Sequence, residues 1–201
     1  AECDSCIIKP ELCHYHEGTC REPGWGEQHC FQDHVVYLSK TSGVKVGITR
    51  QPNVPSRWID QGAIQALPIF RVKDRLTSGK VEMIFKQYVA DKTAWQRMLK
   101  GETSEAELES ERDRLYKECQ PELAELEKEL GEDAIQYLAD EPVVTIEYPV
   151  NTYPEKVKSF NFDKTPVVEG ELKGIKGQYL ILESGVLNIR KFSGYLITLE
   201  A

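Results

Sequence analysis

The stretch HVVYLSKTSGVKVGITR, residues 34–50, sets two short runs of β-branched and aromatic residues around a Thr41-Ser42-Gly43 turn. HVVYLS and VKVGIT read as strands, and the turn joins them as a hairpin. Working outward, QPNVP is a loop, and SRWIDQGAIQAL has helical character with Pro55 and Ser56 marking its start. Gly62 costs that helix about 1 kcal/mol relative to alanine, which points to a packing role. PIFRV is a third strand. SGKVEMIFKQYVADKTAWQRMLKG then reads as a second helical region, with Val81, Ile84, Phe85, Tyr88 and Val89 on one face. Residues 34–101 therefore form a small α/β domain. Trp58 and Trp95 lie among apolar neighbours and read as core.

Residues 102–141 form an acidic helical connector. Thr103 or Ser104 is its expected cap, with Glu107 completing a capping box. Pro121 is expected to break the helix at Gln120, giving an antiparallel pair. Leu108, Leu115, Leu123, Leu126 and Leu130 supply a narrow apolar stripe, and the isolated Cys119 reads as a packed thiol. Residues 142–201 are a β-rich module. Glycines punctuate its short alternating runs, Glu183-Ser184-Gly185 reads as a hairpin turn, and a small β-barrel or curled sheet is expected. Lys173, Lys176, Tyr179 and Arg190 are the groups it would offer to a nucleic-acid strand. The whole is α+β.

Residues 1–33 hold five of the six cysteines, at Cys3, Cys6, Cys13, Cys20 and Cys30. Cys3-x2-Cys6 aims two thiolates at one tetrahedral centre. So few aliphatic residues cannot make a core, so a structural zinc ion is expected to pin the segment. A disulfide framework and metal-free thiols are the alternatives. Spacing does not choose which four groups bind, and His16 and His34 are reserves. The chain opens without Met, and a processed or truncated product is expected.

Net charge is −8, which taken alone disfavours nucleic acid. Residues 34–100, however, carry +8 between acidic flanks, and residues 101–133 carry −9. A basic patch acts locally, because screening limits its reach to about 10 Å at 0.1 M salt. Arg50, Arg71 and Arg75, with Lys45 and Arg57, are expected to border a nucleic-acid site. No apolar run reaches the roughly 18 residues of a membrane span, and a cytoplasmic, membrane-free protein is expected.

Val35-Val36-Tyr37 and Lys45-Val46-Gly47 at the ends of the hairpin, Arg57 early in the next helix and Glu82 in the following one resemble the GIY-YIG nuclease superfamily. Lys45 stands where that superfamily has a second tyrosine. Over essentially all 201 residues the chain also resembles a bacterial family catalogued as domain of unknown function 2797, through CDSC, GTCREPGWGE, KVGITR, RWIDQGA, SGKVE, DKTAW and KGQYL. Members of that family usually start earlier, with further Cys pairs. The first resemblance implies nucleic-acid binding and a divalent-metal-dependent endonuclease site with Tyr37, Lys45, Arg57 and Glu82 as catalytic candidates and Mg²⁺ at Glu82. A glutamate can hold Mg²⁺, an arginine can clamp phosphate oxygens, and a tyrosine can position water. A catalytically degenerate nucleic-acid or nucleotide-binding module and a zinc-stabilised protein-interaction scaffold remain the other two readings.

Overall fold

The computed structural model describes residues 2–89 and 94–200, leaving aside the side chains of residues 2–4 and 132. Strands β1 (His34–Lys40) and β2 (Val44–Arg50) form the expected hairpin, with Tyr37 opposite Gly47. β3 (Gln65–Val72) pairs antiparallel with the other side of β1, so the order runs β2-β1-β3. β4 (Ile135–Tyr137) and β5 (Val144–Thr145) then both pair with β3. The central sheet thus takes strands from the connector and from the C-terminal stretch.

Alternation along β1 splits the core into two. Val36 and Leu38 join Val46, Leu67, Phe70 and residues of α4 (Arg75–Phe85) and α6 (Leu108–Leu130) in one cluster. Val35 and Tyr37 join Trp58 of α3 (Ser56–Asp60), Ala63 and Ala66 in another. A bulge makes this sorting work. Val36 faces Phe70 while Tyr37 faces Pro68, so Ile69 is an extra residue in β3. A straight strand would point Leu67 and Phe70 to opposite sides, and the bulge lets both enter the first cluster. Pro68, which has no N–H to give, sits where the ladder is interrupted.

Several helical expectations shift. α3 stops at Asp60 because Gly62 takes φ +72°, a left-handed terminus, and the rest of the expected helix is β3. A Cβ on Gly62 would also lie 2.3 Å from Met98 Sδ. α4 starts earlier than expected, because Asp74 caps it by accepting from the Thr77 N–H at 2.7 Å. Residues 90–93 of the expected second helical region lie outside the described residues; beyond them comes α5 (Trp95–Leu99). α6 is one helix that runs through Pro121, and it begins at Leu108 with no side-chain cap, so neither the capping box nor the antiparallel pair forms. Pro121 is exposed, which lets water satisfy the carbonyl it cannot bond. Burying Leu108, Leu115, Cys119, Leu123 and Leu126 on one stripe offsets the roughly 3 kcal/mol a helical proline costs.

β6 (Leu172–Lys176), β7 (Tyr179–Leu182) and β8 (Gly185–Asn188) make an open antiparallel sheet, and the expected barrel does not close. Three strands of four or five residues leave β6 and β8 as edges. Ile181 and Val186 pack on Met98 and Leu99, which ties this sheet to α5. Tyr179 stacks on Trp95, and Lys176 is 2% exposed with its ammonium 5.0 Å from the Tyr153 ring centre. Lys176 and Tyr179 are therefore structural and do not face a nucleic-acid strand.

The N-terminal segment consists of α1 (Glu2–Ile8), α2 (Pro23–His29) and two 3-10 turns. None of its described residues belongs to a buried apolar cluster. It docks instead on α4: a Cβ on Gly79 would meet the Glu11 backbone nitrogen at 2.5 Å. No helix among the described residues is long and apolar enough to cross a membrane.

Candidate functional site

Tyr37 lies at the centre of β1, fully buried, and its position depends on Gly47 across the hairpin. A Cβ on Gly47 would come within 2.8 Å of both Cζ and Oη of Tyr37, so only glycine lets the ring lie across β2. Gly47→Ala is accordingly expected to destabilise the protein by about 1–3 kcal/mol, as overpacking does. A thermal midpoint within 1 °C or so of wild type would contradict this contact.

The Tyr37 hydroxyl donates to Gln61 Oε1 at 3.0 Å, and its ring tilts against Trp58 at 5.8 Å between centres. Burial pushes its pKa up to about 12; the Arg57 guanidinium beside it works the other way, and the Glu82 carboxylate adds a smaller upward push. Two of the other three catalytic candidates therefore lie within electrostatic reach of this oxygen. That oxygen keeps its proton at neutral pH, so it is a hydrogen-bond donor and not a ready base. Arg57 is half-buried at the start of α3. Glu82 comes from α4, where Val81 and Phe85 point into the core and leave Glu82 to one side. Its side chain is 13% exposed and pairs with Lys86 one turn on at 3.1 Å. Lys45 is 6% exposed and, two residues before Gly47, shares Tyr37's face of the sheet.

Of the three other basic candidates, Arg50 and Arg75 are taken up by the N-terminal segment, while Arg71 shares Tyr37's face of the sheet. Arg50 Nη1 lies 3.3 Å from His29 Nδ1. Arg75 donates to the backbone carbonyls of Cys6 at 3.3 Å and Ile7 at 2.5 Å. Both hold the N-terminal segment to the sheet domain. Arg71 lies on β3 opposite Val35, on Tyr37's face, with a buried Nε that has no acceptor. Gln61, which accepts the Tyr37 hydrogen bond, was invisible in the sequence, since no motif marks a glutamine just past a helix end.

In the Cys-rich segment, burial raises the Cys30 thiol above its ordinary pKa, Arg75 lowers it, and Cys13, Cys6 and Cys20 each raise it further. Four of the five candidate thiols thus lie within electrostatic reach of one another's neighbour Cys30. The side chain of the fifth, Cys3, lies outside the described residues. Among the described residues no group of three or more Cys, His, Asp or Glu side chains closes to metal-binding geometry. His34 is buried, and its Nδ1 faces the Gln32 carbonyl at 2.7 Å. Nδ1 must therefore carry the proton, which leaves the partnerless Nε2 with a free lone pair.

One family model, described as "Protein of unknown function (DUF2797)", matches residues 1–197. No curated protein and no solved structure matches the chain.

Proposed function

We propose that this chain, which belongs to the DUF2797 family, is a nucleic-acid-processing protein with a GIY-YIG-like endonuclease site and a zinc-stabilised N-terminal segment. The observation that carries the reading is that the buried Tyr37 hydroxyl lies within electrostatic reach of both Arg57 and Glu82, with Lys45 on the same face of the sheet. The β2-β1-β3 order, with α3 between β2 and β3 and α4 after β3, is the arrangement the resemblance implies. Arg57 supplies the fork that clamps two phosphate oxygens. Lys45 adds a point charge on the same face. Tyr37, protonated and held by Gln61, orients a water or phosphate oxygen by donation when that bond exchanges. Glu82 offers hard carboxylate oxygens suited to Mg²⁺, once Lys86 swings away. A divalent cation there supplies charge stabilisation for the leaving oxygen.

A second reading, a catalytically degenerate binding module, draws on the full burial of Tyr37 and on Lys45 in the place of a second tyrosine. Binding separates both from a protein-interaction scaffold. Affinity for single-stranded and duplex DNA and RNA is expected to fall with salt, with a log–log slope of about −0.7 to −0.9 per phosphate neutralised. Arg57→Gln is expected to weaken binding at least tenfold, about 1.4 kcal/mol, while Lys156→Gln in the acidic C-terminal half leaves it unchanged. Salt-independent binding, or equal effects of the two substitutions, would remove both nucleic-acid readings.

A further inference from the structure

Beside Tyr37, on the same face of the sheet, lies a cleft of about 320 Å³. Val35, Pro68 and Val144 give it apolar walls, and Trp58, Arg71 and Glu141 line it with polar groups. Its size is at the small end of ligand pockets, about 300–1,000 Å³. It admits one planar ring and no duplex.

Two of its lining residues carry unsatisfied donors. Trp58 Nε1 and Arg71 Nε are both buried, and neither has an acceptor. Trp58 is 2% exposed. A buried donor left unpaired costs about 1–3 kcal/mol, so two at one cleft represent a cost that a ligand acceptor would relieve. No ion pair among the described residues engages Arg71 or Glu141. The lining thus holds a guanidinium and a carboxylate, neither of them in an ion pair among the described residues, along with apolar walls. A simple anion would be repelled by Glu141, and a simple cation by Arg71. A flat group with an acceptor edge and a donor edge fits both.

We propose that this cleft binds a guanine base. Arginine pairs bidentately with guanine O6 and N7, and a carboxylate accepts from its N1–H and amino group on the other edge. The apolar walls flank the base, and the unpaired Trp58 Nε1 is a further donor for its acceptor edge. Arg57, next to Trp58 in α3, is the candidate for the phosphate of a nucleotide seated here. The proposal deepens the nucleic-acid reading by naming the base next to the phosphate, and rests on it for that placement only.

The test is titration calorimetry of the full chain with GMP, AMP, CMP and UMP at one salt concentration, so that the shared phosphate contributes equally. GMP is expected to bind about 5- to 150-fold more tightly than the others, the range a bidentate base contact gives. Glu141→Gln, at an exposed position that cannot unfold the protein, is expected to cut the preference for GMP over AMP about tenfold. Arg71→Met is expected to abolish it. Equal affinities, no binding at millimolar nucleotide, or a preference indifferent to Glu141→Gln would overturn the proposal. So would inorganic phosphate displacing GMP as well as GMP itself does, which would mark a plain anion site. GMP selectivity without Glu82-dependent cleavage upholds the cleft and removes the endonuclease. Glu82-dependent cleavage without selectivity does the reverse.

Discussion

Glu82→Gln is expected to abolish divalent-metal-dependent cleavage of nucleic acid, by about 10³-fold or more, with the fold intact. The carboxylate is the one oxygen-rich side chain that acts on the Tyr37 hydroxyl. Replacing it with an amide keeps its volume and removes the charge that would hold Mg²⁺. Losing several kcal/mol of charge stabilisation at the leaving oxygen corresponds to that factor, at tenfold per 1.36 kcal/mol. The fold should survive, because the Glu82–Lys86 contact is an i,i+4 helix pair worth about 0.3–0.5 kcal/mol. The measurement is single-turnover cleavage of labelled DNA and RNA with Mg²⁺, Mn²⁺ and Co²⁺, beside a thermal melt. Wild-type rates no higher than those of the variant under every metal would end the endonuclease reading and leave binding alone.

Residues with a local physical signature were legible in the sequence. The hairpin could be read from the β-branched runs on either side of Thr41-Ser42-Gly43, and the pairing of Tyr37 with Gly47 follows from that turn. Trp58 and Cys119 are buried as their neighbours suggested. What failed depended on distant partners. Gly62 reads as a helix interior until Met98 and the left-handed backbone make it a terminus. Ile135–Tyr137 continues a helical pattern until β3 offers an edge and Tyr116 a ring to stack on, 3.8 Å away. Pro121 ought to stop α6, but the leucine stripe on both sides of it buries too much to release. The site shows the same division. Tyr37, Arg57 and Glu82 were named from motif positions, whereas Arg50 and Arg75 were named from charge alone. Charge does not record that a backbone carbonyl of a docked segment can absorb an arginine as fully as a phosphate can.

Chelation is expected to release residues 1–33 from the rest of the protein, because little apolar burial holds them: Pro10, packed on α4, is the one buried apolar side chain among their described residues. None of the three core clusters includes a residue of this segment. Its attachments include the Arg75 bonds to Cys6, Ile7 and Cys30, the Arg50–His29 contact and the fit of Pro10 and Glu11 over Gly79. Exposed polar contacts of this kind contribute about 1 kcal/mol each and do not fix some thirty residues, each costing about 1–2 kcal/mol of backbone entropy. A structural zinc ion supplies about 10–16 kcal/mol in small zinc-binding folds, several times what these polar contacts contribute. Purified protein is expected to carry about one zinc per chain by elemental analysis. Cys20→Ser and Cys30→Ser should lose it, with backbone amides of 1–33 exchanging at unfolded rates while those of β1 and β3 stay protected. Cys119→Ser is the control: that thiol is fully buried in α6 beneath the central sheet, so the change should lower the melting midpoint and keep the metal. Metal-free protein with the segment equally protected, or cysteines paired as disulfides by mass spectrometry, would remove zinc from the account. A segment freed by chelation also carries away the His29 ring and the Cys6 and Ile7 carbonyls that occupy Arg50 and Arg75, so two guanidiniums would be free to contact phosphate. Apo protein is then expected to bind nucleic acid more tightly and with a steeper salt slope than holo protein, the reverse of what a zinc finger reading bases directly would show.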